Sequence, residues 1–316
     1  MTAKFVAEVI DSTAVFKETI FDGKVLFCTG GGSGICKRMT EAVMRHGANS
    51  VIVGRNLDRL TTSAEELSNA TGRTCIPAKA DVREPNQLRD AVSKAITKFG
   101  RIDFVICGAA GNFLSPISGL SENGFKTVMQ IDTVGVCASY YIKSFDKANQ
   151  MGTFNTIKAT VPHLRVTKGA YIHVSATLHY RATPFQAHVS AAKAAVDALS
   201  AVLAIEEGPY GIRSNVIAPG PIGGTEGYDR LSASDPHEPE GYVQKVYNRT
   251  MPLGRVGHVQ DIANAAVFLF SDAANFITGQ VLPVDGGNEH LREPFLPYPD
   301  CILDSEKAKS LIKPRL

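Results

Sequence analysis

The sequence predicts α/β architecture: one domain with a doubly wound parallel sheet of about seven strands. Short β-branched runs alternate along its 316 residues with amphipathic helical stretches. A glycine-rich turn follows the first run and opens a helix, and no internal repeat or low-complexity segment interrupts the series. Parallel strands need crossover helices, so this alternation is the pattern of a sheet covered on both faces. Strands are expected at 24–29, 50–54, 74–80, 102–107, 170–174, 213–218 and 280–284. Helices are expected from Gly34 to His46 and at 59–70, 85–99, 190–207 and 259–270, where apolar residues recur at helical spacing. A single βα series leaves no separate substrate domain. Residues 1–20 read as an arm, 21–290 as the domain, and 291–316, with prolines from Pro294 to Pro299, as a surface tail.

The length suits a domain of this class, and 44% hydrophobic residues suffice for a full core. With 33 basic and 31 acidic residues the net charge is +2, which gives no electrostatic support to a nucleic-acid partner. Six cysteines, Cys28, Cys36, Cys75, Cys107, Cys137 and Cys301, form no CxxC pair and no cluster at zinc spacing. They read as reduced, mostly buried thiols, and no metal is expected. Charged residues and glycines break the apolar stretches, so neither a signal peptide nor a membrane span is expected.

The first strand runs into Thr29-Gly30-Gly31-Gly32-Ser33-Gly34-Ile35. Glycines let backbone N–H groups approach a pyrophosphate, and the following helix N-terminus adds partial positive charge. Such a turn alone is a common tight turn; the strand before it and the helix after it make it a dinucleotide signal of Rossmann type. Arg55 ends the second strand, where an enzyme selecting NAD carries an acid for the ribose 2′-hydroxyl. A guanidinium there suits a 2′-phosphate and hence NADPH, although a solvated surface arginine is the plain alternative. Asp81 and Val82 follow the third strand, where Asp81 can meet an adenine amine or cap the next helix.

The ordered set of Thr29 to Ile35, Gly108-Ala109-Ala110-Gly111, Lys193, Pro219-Gly220 and Asp285-Gly286-Gly287 resembles the short-chain dehydrogenase/reductase family over about residues 20–290. Three further segments, Ala110 to Phe113, Ile131-Asp132-Thr133 and Pro219 to Gly227, are similar to its peroxisomal 2,4-dienoyl-CoA reductases. Departures matter as much. Val189 stands where the wider family has its catalytic tyrosine, Asp132 replaces an asparagine, Cys36 replaces the third loop glycine and Gly108 replaces a common asparagine.

The resemblance implies NADPH-dependent reduction of a 2,4-dienoyl-CoA to a 3-enoyl-CoA, in the β-oxidation of unsaturated fatty acids. It implies a cofactor site of Gly30, Gly31, Gly32, Ser33, Gly34, Ile35, Arg55, Asp81, Val82, Lys193, Pro219, Gly220, Ile222 and Thr225. Arg55, Arg83 and Arg230 are expected at phosphates, and Phe113, Ser121 and Asn123 along the acyl path. Lys193 would hold the nicotinamide ribose, and Asp132 would supply a proton if burial raises its pKa. A helix N-cap is the alternative for Asp132, and packing or substrate lining is preferred to catalysis for His188. A carbonyl or hydroxyacyl-CoA reductase and a catalytically silent NADPH-binding regulator remain rival readings.

Two features lie outside this pattern. The family's Ile-Asp-Thr is followed after one residue by Gly-Thr-Phe-Asn, whereas here Val134 to Gln150 separate Thr133 from Met151. That segment reads as a retained intron or an unusual insertion, and a translated insertion is expected to bulge or break a helix and weaken a homo-oligomer, dimer or tetramer. The chain also ends Lys313-Pro314-Arg315-Leu316, which resembles a variant of the peroxisomal Ser-Lys-Leu signal read by an import receptor. Peroxisomal residence is expected, with the cytoplasm as the alternative.

Overall fold

The computed structural model describes residues 8–132, 152–231 and 251–291, with the side chains of Arg230 and Leu231 outside that description. Seven strands form one sheet: β1 Val25–Thr29, β2 Asn49–Gly54, β3 Cys75–Lys79, β4 Phe104–Cys107, β5 Ala170–Val174, β6 Arg213–Pro219 and β7 Val281–Val284. Every pairing is parallel and the order is β3-β2-β1-β4-β5-β6-β7, so the strand order reverses between β1 and β4. In open sheets of this kind ligands lie at such a reversal, beyond the carboxyl ends of the strands.

Eight helices are described: α1 Gly34–Arg45, α2 Leu57–Thr71, α3 Pro85–Phe99, α4 Glu122–Asp132, α5 Gly152–Thr167, α6 Ala187–Glu207, α7 Glu226–Leu231 and α8 Val259–Phe270. Alternation along the strands divides them between two layers. Leu26, Cys28, Ile52, Ile106 and Ile172 pack with Met39 and Val43 of α1, Leu60 and Leu67 of α2, and Ile262 and Val267 of α8. Phe27, Val51, Val105 and Tyr171 face the other way, onto Leu88 and Val92 of α3, Ile157 and Leu164 of α5, and Leu203 of α6. Each fully buried side chain of this size contributes roughly 1.5–3 kcal/mol of burial free energy, and the two faces together anchor both helix layers to the sheet.

Local chemistry sets the helix ends. The Asn56 side chain accepts the Arg59 N–H at 3.0 Å and starts α2, while Gly72 ends it at φ +67°. Residues 8–23 run over the domain as an arm, tied down by Asp11 to Arg38 at 3.1 Å and by the Asn264 amide to the Ile10 carbonyl at 2.7 Å. Helix α6 is long and apolar enough to cross a membrane by length and composition, contrary to the sequence reading. It is instead the core helix of this layer, with Val196, Leu203 and Ala204 buried against the sheet.

Helices α4 and α5 share one helical phase. Thr156 and Thr160 donate their hydroxyls to the carbonyls four residues earlier, of Gly152 and Thr156, at 2.9 and 2.7 Å. Thr153 makes the same bond to the Asp132 carbonyl at 2.7 Å. Asp132 therefore stands where the residue four before Thr153 stands in an unbroken helix. A Cβ on Gly152 would collide with the Ile131 carbonyl, so only glycine fits where α5 packs against the end of the described part of α4. Residues 134–150, expected to be an insertion, lie outside the described residues, as does the 292–316 tail.

Candidate active site

The turn after β1 lies against the loop after β4 at the carboxyl edge of the sheet, the edge at which the chain also leaves β5 and β6. Gly30 takes φ +73°, and a Cβ there would lie 2.7 Å from the Gly108 carbonyl, so the turn after β1 tolerates only glycine. Gly31 packs on Ile52, and Ser33 precedes α1 without a side-chain cap. The first-turn N–H groups of α1 are thus left for an anion from outside. The two departures in this loop compensate each other. A Cβ at position 108 would collide with the Cys36 sulfur, which instead lies 3.6 Å from the Gly108 carbonyl. Thr29 braces both loops, its hydroxyl accepting the Gly108 N–H at 3.1 Å and donating to the Ile106 carbonyl at 3.2 Å.

Arg55 is exposed at the end of β2, open to a phosphate. Arg83 is engaged: its guanidinium grips Asp81 at 2.6–3.1 Å, and Asp81 Oδ1 also accepts the Arg83 N–H at 3.0 Å. That bond to the Arg83 guanidinium holds the Asp81 carboxyl below its usual range. Asp81 thus closes its own turn and does not cap α3, whose N-cap is Glu84. An adenine amine or a CoA phosphate would have to compete for this pair. Val82 is buried, its carbonyl accepting the Asn155 amide of α5 at 3.0 Å.

Asp132 and Lys193 meet in the interior, with Lys193 Nζ 3.1 Å from Asp132 Oδ2 and side-chain exposures of 8% and 0%. Lys193 also donates to the Val174 carbonyl at 3.0 Å, and the Gly111 N–H donates to Asp132 Oδ1 at 2.8 Å. Asp132 is the last described residue of α4 and has helical backbone, a position inside a helix and not the extended one of an N-cap. Burial raises its pKa, and Lys193, the Gly111 N–H and His188 act in the opposite direction. Val189 is buried among Val128, Ala192, Phe113, Met129 and Leu178, so apolar packing fills the family's phenol position.

Phe113 stacks on His188 with ring centroids 4.2 Å apart. A Cβ on Gly124 would lie 3.1 Å from both the Phe113 ring and the Ser121 hydroxyl, which places these two expected acyl-path residues side by side. Ser121 also accepts the Gly124 N–H at 3.1 Å, and Asn123 is exposed on the same turn of α4. Gly220 bonds the Val284 carbonyl at 3.1 Å, Ile222 bridges to Gly257, and Thr225 caps α7 by accepting the Tyr228 N–H at 3.1 Å. Asp285 closes its own turn on the Gly287 and Glu289 N–H groups at 2.9 and 2.7 Å. Arg230 lies on α7, with its side chain outside the described residues. Sequence reasoning gave no role to Ser175, Asn155 or Gln186, all buried and polar. The only signal for them is a polar residue type within an apolar pattern.

A glycine cradle at the strand reversal, a free helix terminus and an interior acid–lysine pair define a nicotinamide-dependent oxidoreductase. The chain belongs to the short-chain dehydrogenase/reductase family: a family model described as enoyl-(acyl carrier protein) reductase matches residues 30–143 and 141–289, two stretches that meet between α4 and α5. The peroxisomal 2,4-dienoyl-CoA reductase of Saccharomyces cerevisiae is 42% identical over 98% of both chains. Its Arabidopsis thaliana counterpart is 39% identical over 86% of both. Among solved structures, levodione reductase superposes with TM-score 0.75 at 26% identity, covering 85% of this chain and 99% of that one. A Brucella melitensis 3-ketoacyl-(acyl-carrier-protein) reductase complexed with NADH does so with TM-score 0.71 at 25% identity, covering 85% and 99%.

Proposed function

We propose that the chain is an NADPH-dependent 2,4-dienoyl-CoA reductase yielding 3-enoyl-CoA, in the β-oxidation of unsaturated fatty acids. The observation that carries this reading is the buried Asp132–Lys193 pair beside an apolar Val189. A carbonyl reduction needs a proton donor at oxygen, and the phenol that serves elsewhere in the family is missing. A conjugated thioester needs its proton at carbon instead. The named activity of relatives from yeast and plant supports the same substrate.

NADPH, bound along the Gly30–Gly34 turn, supplies hydride. The chain's residues do the rest. Lys193, fixed by Val174 and Asp132, holds the ribose hydroxyls and places positive potential where the dienolate forms. Asp132 is the proton reservoir. Its carboxyl has no exposure and is engaged by two donors, which favours delivery through a water over direct contact with the substrate carbon. Phe113, Ser121 and Asn123 line the acyl path; Arg55 and Arg230 serve the phosphates, and Arg83 would join them only by giving up part of its hold on Asp81.

Arg55→Ala should reduce the preference for NADPH over NADH roughly ten- to hundredfold. Charge-assisted bonds to a 2′-phosphate are worth about 1.5–3 kcal/mol, and the exposure of Arg55 favours the lower end. Titrating both cofactors into both proteins checks this; an unchanged ratio would return Arg55 to the surface-residue reading.

The exposed apolar side chains Val202 and Ile205 on α6 and Val166 on α5 support the expected homo-oligomer. The peroxisomal relatives support the same compartment for this chain, with Pro314-Arg315-Leu316 as the address for an import receptor. Removing those three residues should release a fluorescent fusion into the cytosol, and continued peroxisomal import would place the address elsewhere.

A further inference from the structure

The reduction proposed above consumes one proton per turnover, which leaves Asp132 and ends on carbon. Asp132 has to be reloaded before the next cycle, yet its side chain has no exposure. With cofactor and substrate in the cleft, the new proton has to reach it through the protein. One buried cluster outside the site carries the chemistry of proton exchange. His179, in the short turn after β5, meets Asp197 of α6, its Nε2 2.8 Å from Asp197 Oδ2, with side-chain exposures of 9% and 15%. The Tyr180 hydroxyl donates to the same oxygen at 2.8 Å, and Tyr180 is 43% exposed, so the cluster reaches solvent. The pair's other polar atoms, His179 Nδ1 and Asp197 Oδ1, are buried and have no hydrogen-bond partner among the described residues. Leaving such an atom unpaired costs about 1–3 kcal/mol, so both call for interior water.

The cluster is placed to supply Asp132. Asp197 stands four residues after Lys193 on one face of α6, about 6 Å further along the helix axis. Lys193 Nζ lies 3.1 Å from Asp132 Oδ2 and donates to the Val174 carbonyl at 3.0 Å. The turn that carries His179 begins three residues beyond Val174, so the same strand and the same helix fix both ends of the route. Burial lowers the pKa of His173 to about 4 and Asp197 acts against that shift, which sets the carboxylate over β5. His173 therefore stays neutral and does not intercept a proton near neutral pH. Arg181 ties the turn to the residues after β7, donating to the Asn288 carbonyl and side-chain oxygen at 2.8 and 2.6 Å. From that segment Glu289 also faces Tyr180, and burial followed by the Asp197 carboxylate raises the pKa of the phenol, which keeps it a donor. A histidine is the side chain that gains and loses a proton most readily near neutral pH.

We infer that the His179–Asp197 couple is a proton inlet that reloads Asp132 through buried water along α6. The inference rests on the dienoyl-CoA reading above. A solvent proton makes His179 an imidazolium against the Asp197 carboxylate. Water at Nδ1 carries that proton past Lys193 to the Asp132 carboxylate, and the imidazole returns to its neutral form. One proton enters for each that leaves Asp132, and no electron moves on this route. Both residues act through Asp132 and touch neither substrate nor cofactor, so they position the proton supply and are not catalytic residues.

Stopped-flow mixing of the enzyme and excess NADPH with a 2,4-dienoyl-CoA separates the first turnover from later ones, because Asp132 is loaded at rest. In His179→Gln and Asp197→Asn the first turnover should keep its rate within about twofold of the wild type, while the steady rate falls at least about tenfold. The trace is then a burst of NADPH oxidation equal to the number of sites, followed by a slow phase. Added imidazole should raise the slow phase of His179→Gln toward the wild-type rate. A cluster that only supports the fold would lower Tm, slow first and later turnovers alike and gain nothing from imidazole, and that result overturns the inlet. A steady rate within about twofold of the wild type in both variants overturns it as well. Either variant decides the matter should the other fail to fold. A wild type that leaves the dienoyl-CoA unreduced would defeat the underlying reading and the inlet with it, whereas an active wild type beside variants without a burst defeats the inlet alone.

Discussion

Asp132→Asn is expected to lower kcat by about 10²–10⁴-fold while NADPH affinity stays within about twofold. The amide keeps the shape of the carboxyl and can still accept the Gly111 N–H, now 2.8 Å from Oδ1, but it carries no transferable proton. The pH profile gives an independent readout. Burial raises the Asp132 pKa above the ordinary carboxylate value. A proton donor loses its working form as pH climbs through that raised pKa, so wild-type kcat should decline on the alkaline side, and the variant's residual rate should lack that limb. Near-normal turnover by Asp132→Asn would reduce the buried pair with Lys193 to a structural role.

Deleting residues 134–150 should give a folded enzyme with turnover at or above that of the full chain, although 17 residues are removed from beside Asp132. The helix flanks justify this. An unbroken helix in which Asp132 lies four before Thr153 has room for two residues before Gly152, and Thr133 and Met151 supply them. The deletion therefore rejoins α4 and α5 without rotating either. Closing a loop of that length costs roughly 2–3 kcal/mol, so Tm should rise, and the self-association expected of α5 and α6 should strengthen. Every valine codon begins with GT and glutamine is encoded by CAA or CAG, so the 51 nucleotides for Val134 to Gln150 fit the ends and phase of an intron when Gln150 is CAG. Sequencing the transcript and comparing the two proteins by circular dichroism, Tm and turnover checks this. An inactive or unfolded deletion variant, with only the long message present, would make the segment a required part of the enzyme.

The parallel sheet was legible because each strand is a short β-branched run between helical patterns, and all seven expected strands lie within two residues of those observed. Helix starts were harder. Asn56 begins α2 two residues before the apolar period shows, and α6 begins at Ala187, since tertiary packing of His188 and Val189 recruits residues that periodicity alone leaves out. In the site, the glycine turn, Asp132 and Lys193 were readable by type and order. Pairings distant in sequence were not. The fit of Cys36 against Gly108 spans 72 positions, and each looks like an isolated lapse until the two meet. The Asp81–Arg83 pair was missed for the opposite reason: each residue suits a ligand so well that their attraction to each other was overlooked. Ser175 and Gln186 carry no motif, and only burial without a partner singles them out.

The central claim is reduction of a conjugated acyl thioester, and its most direct measurement is the loss of NADPH absorbance when the purified full chain meets a 2,4-dienoyl-CoA. The account predicts turnover with a 3-enoyl-CoA as product, a slower rate with NADH and no reduction of a 3-ketoacyl-CoA. Turnover of the ketoacyl-CoA, or NADPH bound tightly without oxidation in the presence of the dienoyl-CoA, would contradict it.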